Sequence, residues 1–129
     1  MTKILLDTSF IILLASKPLP SIGKIENMLG KAEFFIIEDT LKELKILIKN
    51  SSVKRSRLAK FSLEFAKNLK CLVCPQNGNV DQKILDCAVD KKLMVATIDM
   101  ELKRKLRAVG IPVVSLKRDR LNIDGIIIN

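Results

Sequence analysis

Short apolar runs alternate with segments of helical periodicity along almost the whole chain of 129 residues. The apolar runs predict strands at residues 3–6, 33–37, 71–74, 93–96 and 111–115. Helical spacing predicts helices at residues 10–15, 22–29, 39–48, 53–69, 80–91 and 101–109. Because strands that alternate with helices form crossover units, we expect an α/β fold with three layers, α/β/α, around a central, mostly parallel sheet of about five strands. Residues 1–129 are expected to form one domain, with a further edge strand considered at residues 126–128.

The second half of the longest predicted helix carries large apolar side chains. Leu58, Phe61, Phe65 and Leu69 recur there at helical spacing, with basic residues between them. This spacing predicts that the four side chains face the core. On this interpretation, Phe61 and Phe65 are core residues and not platforms on which nucleic-acid bases stack.

The chain has three cysteines and no histidine. Cys71 and Cys74 form a C-x-x-C pair, but a structural zinc site needs four ligands and only Cys87 is left to help. We expect Cys71 and Cys74 to fill a buried strand as thiols, which agrees with a cytoplasmic location. No apolar run approaches the roughly 18 residues of a membrane-spanning helix, so no membrane partner is expected.

The net charge of +9 favours association with a polyanion, although a solvated basic surface would produce the same value. Two basic clusters stand out in the predicted helices. The first contains Lys54, Arg55, Arg57 and Lys60, and the second contains Lys103, Arg104 and Arg107. We assign both clusters to contact with RNA phosphates, with a solvated helix face as the alternative.

Several acidic residues follow the predicted strands. Asp7 comes directly after the first strand, Asp81 opens the helix after the third, and Asp99 lies shortly after the fourth. Since the carboxyl ends of parallel strands meet at one edge of a sheet, these side chains should converge. Each acid alone could simply cap a helix, but together they would repel one another unless cations were present. Carboxylate oxygens without histidine favour Mg²⁺ or Mn²⁺.

Four short motifs follow one another along the chain. The first strand ends in D-T-S, followed by L-K-E-L around Glu43, then V-D-Q-K-I-L-D-C-A around Asp81, and V-A-T-I-D ending at Asp99. The order of these motifs resembles the PIN-domain family of metal-dependent ribonucleases. The resemblance covers nearly the whole chain and implies that Asp7, Glu43, Asp81 and Asp99 bind Mg²⁺ or Mn²⁺ and carry catalysis. It also implies a hydroxyl near the metal at Thr97. The residues after Asp99 look like those of archaeal and eukaryotic PIN proteins in ribosomal RNA processing.

The resemblance implies an endoribonuclease that hydrolyses RNA phosphodiester bonds with Mg²⁺ or Mn²⁺, in rRNA processing or as a toxin-type enzyme. The alternative is a non-catalytic RNA-binding or assembly module on the same fold. Phosphatases with a D-x-D motif fit less well, because Ser9 occupies the second acidic position. A homodimer and a protein partner, either an antitoxin or a ribosome-assembly factor, are further expectations. The side chains expected to support the metal ligands are Thr8, Ser9, Thr97 and Glu101.

Overall fold

The computed structural model describes residues 1–16, 21–74, 78–118 and 120–125, and the side chains of residues 21 and 22 are not described. Strands and helices alternate in these residues much as the apolar pattern predicts. In chain order the elements are β1 (Thr2–Leu6), α1 (Thr8–Ser16), α2 (Ser21–Leu29), β2 (Ala32–Ile37), α3 (Glu38–Asn50), α4 (Val53–Lys67), β3 (Lys70–Leu72), α5 (Val80–Lys91), β4 (Met94–Ala96), α6 (Met100–Ala108), β5 (Val113–Lys117) and β6 (Arg120–Asp124).

The sheet has the strand order β3-β2-β1-β4-β5-β6 within the described residues. Strand β1 lies at its centre and pairs in parallel with both β2 and β4, and the neighbours β3 and β5 continue the parallel arrangement. Among the described strands, β6 alone runs antiparallel, against β5. The predicted α/β class and the mostly parallel sheet are therefore confirmed, and the ends of β1 and β4 lie side by side at one edge.

Helices cover both faces of the sheet, and the alternation of side chains along β1 shows how. Ile4 and Leu6 are buried against α1, α3 and α4, in a cluster that includes Phe10 and Leu44. Leu5 points to the opposite face, where it joins a second buried cluster with residues of α5 and α6. Because helices cover both faces of the sheet, its strands are almost continuously apolar. None of the helices that the structure describes has the length and apolar character needed to cross a membrane.

The last described strand, β6, lies earlier than the edge strand considered at residues 126–128, which are outside the described residues. Leu121 and Ile123 alternate with polar residues and pack against the cluster that contains Ile4. The connection from β5 is short, since Lys117 pairs directly with Arg120. Arg118 adopts a positive φ of 53° in this turn, a conformation that two-residue hairpin loops require.

The cysteines are arranged differently from the prediction. Cys74 forms a disulfide with Cys87 of α5, and the Cα atoms of this pair are 5.5 Å apart, a normal separation for a disulfide. Cys71 is a free and exposed cysteine. The expectation that Cys71 and Cys74 fill a buried strand as thiols is therefore wrong. Helix α5 returns across the sheet face beside β3, and this brings two cysteines distant in sequence together.

Helix α4 presents a different side to the core than its large apolar residues predicted. Its buried residues are Ala59, Ser62, Leu63 and Ala66. Phe61 is 63% exposed, so the prediction that it belongs to the core is wrong, whereas Phe65 and Leu69 are partly buried against the core. Small side chains on the inner face allow α4 to pack closely on α3 and α1, and the bulkier Phe61 is left outside.

Candidate active site

A cavity of about 660 Å³ opens at the carboxyl edge of the sheet. Its lining includes all four acids that the sequence singled out, from four different parts of the fold. Asp7 follows β1, Glu43 lies on α3, Asp81 opens α5, and Asp99 precedes α6. The other lining residues are Thr8, Ser9, Ile12, Ile46, Leu47, Arg55, Val80 and Ile98.

Asp7 is held in place by two hydroxyl groups. Its backbone N–H donates to the carbonyl of Ala96 at 2.9 Å, which continues the pairing of β1 with β4. The hydroxyls of Ser9 and Thr97 each donate to Oδ2 of Asp7 at 2.8 Å, and the Thr97 side chain is completely buried. Within the described parts of the chain no hydrogen bond reaches the other oxygen, Oδ1. Asp7 therefore has a fixed orientation and one oxygen free to bind a ligand.

Glu43 approaches Asp7 from the neighbouring layer of helices. Oε1 of Glu43 accepts a hydrogen bond of 3.0 Å from the hydroxyl of Thr8, the first residue of α1. Burial raises the pKa of Glu43, and the negative charges of Asp7, Asp39 and Asp81 raise it further, while the bond from Thr8 opposes the shift. Burial is the largest cause of this shift, and the three nearby carboxylates add to it.

Asp81 and Asp99 close the other side of the cavity. Partial burial raises the pKa of Asp81, and so do the charges of Asp99, Asp7 and Glu101, whereas Lys105 lowers it. Asp99 is also the N-cap of α6, because its Oδ1 accepts from the backbone N–H groups of Glu101 at 2.9 Å and Leu102 at 3.2 Å. The structural role that the sequence allowed for Asp99 is thus present, and it is compatible with a place in the cavity.

Of the four predicted supporting residues, three bind the acids through their side chains and one does not. Thr8 donates to Glu43, while Ser9 and Thr97 donate to Asp7. The Glu101 side chain is exposed in the first turn of α6 and acts on Asp81 through its charge, and only the backbone N–H of Glu101 donates to Asp99.

An ion pair behind the cavity was not predicted from the sequence. Lys83 of α5 pairs with Asp39 of α3 at 2.9 Å, and the two side chains are only 15% and 19% exposed. The pair joins the helix that carries Glu43 to the helix that carries Asp81. Asp39 lies one helical turn before Glu43, so the i, i+4 spacing of two acids on α3 was the signal that could have found it.

The predicted RNA-binding residues have different surroundings. On α4, Lys54, Arg55 and Arg57 are exposed, and Arg55 lines the cavity. Of the three predicted residues on α6, Arg104 is exposed, whereas Lys103 and Arg107 are partly buried. Lys103 pairs with Asp124 of β6, and Nη1 of Arg107 donates to the carbonyl of Ile111 at 3.1 Å.

Most of the chain matches a known protein family. The family model described as a PIN like domain matches residues 4–120. The chain belongs to the PIN-like domain family. Ribonuclease VapC4 of Methanocaldococcus jannaschii is 31% identical over 123 residues, which cover 93% of this chain and 94% of that relative. The predicted resemblance to PIN-domain ribonucleases is confirmed.

Solved structures share the fold of this chain. The PIN domain endonuclease Utp24 superposes with a TM-score of 0.77 at 24% identity, over 97% of this chain and 92% of that one. VapBC from Salmonella typhimurium, solved bound to DNA, gives a TM-score of 0.65 at 21% identity, over 89% and 98% of the two chains. These likenesses confirm the α/β architecture around the cavity.

Proposed function

We propose that this protein is an endoribonuclease that hydrolyses RNA phosphodiester bonds and depends on Mg²⁺ or Mn²⁺. The observation that carries the proposal is the convergence of Asp7, Glu43, Asp81 and Asp99 on one cavity. The family membership and a relative named as a ribonuclease support the same reaction. Burial and mutual repulsion raise the pKa of Glu43 and of Asp81, so the cavity favours a bound cation.

The ligand set fits a hard divalent cation that keeps part of its water shell. Among the residues that the structure describes, no three acidic or cysteine side chains are placed to hold one ion by themselves. Mg²⁺ is commonly held by one or two carboxylates, with water and substrate phosphate completing the shell. Asp7, through its free oxygen, and Asp81 are the residues that we expect to hold it, with Glu43 and Asp99 beside them.

The chain's own residues prepare this site for a phosphodiester. Ser9 and Thr97 fix the orientation of Asp7, and Thr8 does the same for Glu43, so that little reorganisation is needed when substrate binds. Arg55, on the rim of the cavity, is placed to bind a phosphate of the RNA. A bound cation would lower the pKa of a coordinated water and offset charge on the phosphate.

The decisive variant is Asp7→Asn. If Asp7 is catalytic, cleavage of RNA with Mn²⁺ should fall by orders of magnitude, because the amide replaces a charged ligand. The metal-free melting temperature should hold or rise, because one repelling charge is removed. Asp90→Asn is the matched control, since Asp90 is an exposed acid outside the cavity, and this variant should cleave normally. Cleavage by Asp7→Asn at the wild-type rate would contradict the proposal.

The same cleavage assay distinguishes a ribonuclease from a non-catalytic module on the same fold. A wild-type protein that binds RNA but never cleaves it, with either cation, would indicate a non-catalytic RNA-binding or assembly module. Sequencing the ends produced from total RNA then distinguishes the two proposed cellular roles. Ribosomal RNA processing predicts a few cuts in ribosomal precursors, whereas toxin-type activity predicts growth arrest on expression, with suppression by a co-expressed partner.

A further inference from the structure

The outward face of α4 carries a mixture of residues that is unusual for a solvent-exposed helix. Val53, Arg57, Lys60 and Phe61 follow one another at spacings of four, three and one residues, so they share one side of the helix. The buried residues of α4 lie on the opposite side, which packs on α3 and α1. The face therefore points away from α3 and α1.

Two large apolar side chains are exposed on this face. Phe61 is 63% exposed and Val53 is 77% exposed. Beside them lies a groove of about 310 Å³ where α3 turns into α4, lined by Ser51, Val53, Ser56, Arg57 and Lys60. Basic and hydroxyl-bearing side chains thus line the groove, and Phe61 follows Lys60 directly in the chain.

The positive charge of α4 indicates which kind of ligand its outward face can bind. The helix contains five basic residues and a single acid, Glu64, which pairs with Lys67 at 3.8 Å. A second copy of the chain would bring two positive faces together, which is unfavourable. A polyanion is favoured, and a single-stranded nucleic acid also supplies the flat base that an aromatic ring can stack on.

The cavity that holds the acids and the outward face lie near the start of α4, on different sides of the helix. Arg55 lines the cavity, and Arg57, two residues later, lines the groove. Residues two apart point to different sides of a helix, and Phe61 lies six residues beyond Arg55, which is about 9 Å along the helix axis. An RNA strand bound at the cavity would therefore pass around the start of α4 to reach the groove and Phe61.

We propose that the outward face of α4 is a binding site for single-stranded RNA, in which Arg57 and Lys60 contact phosphates and one base stacks on Phe61. The proposal rests on the proposed function for the identity of the ligand as RNA, but it does not require cleavage. Stacking on an aromatic side chain changes affinity by about 5- to 150-fold per base.

The absence of tryptophan and tyrosine from the chain allows a direct test of the stacking contact. Phe61→Trp introduces the protein's only indole, and it should retain RNA affinity because the ring is conserved. Binding of a short single-stranded oligonucleotide, without divalent cations and in the Asp7→Asn background, should quench its fluorescence. Val109→Trp is the control, because Val109 is 51% exposed at the end of α6, away from this face, and its fluorescence should not change.

A second measurement identifies the base. Phe61→Leu should weaken binding of the oligonucleotide by about 5-fold or more, since it removes the ring and leaves an exposed aliphatic side chain that does not disturb the fold. Oligonucleotides with one abasic position, moved along the strand, should show one position at which affinity falls for the wild-type protein. At that position Phe61→Leu should bind the abasic and the intact strands equally.

Three results would overturn the proposal: no quenching at Phe61→Trp, unchanged affinity of Phe61→Leu, or an abasic effect that persists in Phe61→Leu. A change in the sedimentation of Phe61→Leu without a change in RNA affinity would also overturn it, because the face would then be a protein interface. Failure of the proposed nuclease function appears differently, as an absence of cleavage by the wild-type protein while the Phe61-dependent binding remains.

Discussion

Helices α4 and α6 carry similar runs of lysine and arginine, yet the fold uses these cations in different ways. On α6, Lys103 pairs with Asp124 and Arg107 donates to the carbonyl of Ile111. On α4, Arg57 and Lys60 line an open groove, and in the described part of the chain neither pairs with a carboxylate. Counting basic residues in the sequence therefore does not tell which of them are available to an anionic partner.

The difference originates in the strands that come after each helix in the chain. Asp124 reaches Lys103 because β6 folds back antiparallel against β5 and ends near α6. Helix α4 is followed by β3, a short strand at the far edge of the sheet, and none of the described strands lies on the outward side of α4. A cation becomes structural where a neighbouring element supplies an acceptor, and it remains available for a ligand elsewhere.

The largest expected difference between α4 and α6 is in RNA binding. Replacing Lys54, Arg55 and Arg57 by Gln should lower affinity by on the order of 100-fold at about 0.1 M salt, and should reduce the salt slope by roughly 2. Replacing Lys103, Arg104 and Arg107 by Gln should reduce the slope by less than roughly 1, because only Arg104 is free. Equal slopes for the two triple variants, measured over a salt series, would break the distinction between the helices.

Removing a buried cation should lower the free energy of unfolding more than removing a surface cation does. Lys83→Met leaves Asp39 without its partner at a mostly buried position, and we expect the free energy of unfolding to fall by about 2 kcal/mol. Denaturant unfolding measures this change. Lys42→Met is the control, because Lys42 pairs with Glu38 on the same helix as Asp39 at the surface and should matter little. Equal losses would show that burial of the pair contributes nothing.

A smaller stability loss should distinguish the engaged from the free cations of α6. Lys103→Met removes a partly exposed ion pair, and should lower the free energy of unfolding by about 0.5 kcal/mol. Arg104→Met, at the next and exposed position, should leave stability unchanged. The reverse order in thermal unfolding would place Arg104, and not Lys103, in a structural contact.

The smallest expected effect is a pH dependence. The hydrogen bond from Lys103 holds the pKa of Asp124 below its ordinary value of 3.8. Because folding lowers this pKa, the ionised Asp124 stabilises the folded protein when the pH is above 3.8. This contribution is lost as the pH falls through the pKa that Asp124 has in the folded protein. Between pH 5 and pH 2, the free energy of unfolding should therefore fall more steeply for the wild-type protein than for Lys103→Met. If the two proteins give parallel curves of stability against pH, the Lys103–Asp124 pair does not contribute.

The positions of the acids could be predicted from the sequence, because they depend on a simple rule. Parallel strands end at the same edge, so Asp7 after β1 and Asp99 after β4 had to be close. Glu43 was harder, since a helix position does not reveal its neighbour across the sheet. The hydroxyl partners of Asp7 followed from family resemblance, and their hydrogen bonds were visible only in three dimensions.

Other features depend on packing that local pattern does not encode. Spacing suggested an inward stripe on α4 that included Phe61, but the small residues on the other side allow closer packing and determine the orientation. The Cys74–Cys87 disulfide requires knowing that α5 returns beside β3, and cysteine spacing cannot reveal that. The pattern does not predict β6, because Leu121 and Ile123 give only a short alternation, which is a weaker strand signal than the continuous apolar run at residues 126–128.

The hydrogen bond between Asp7 and Thr97 joins residues that are 90 positions apart in the chain. A chain synthesised only through α4 already contains Asp7, Ser9 and Glu43, but it lacks the strand that orients Asp7. Contacts between distant segments form late, because the loop that separates them must first close. The arranged cavity is thus acquired when β4 docks against β1, and partial unfolding that releases β4 should abolish it in a single step.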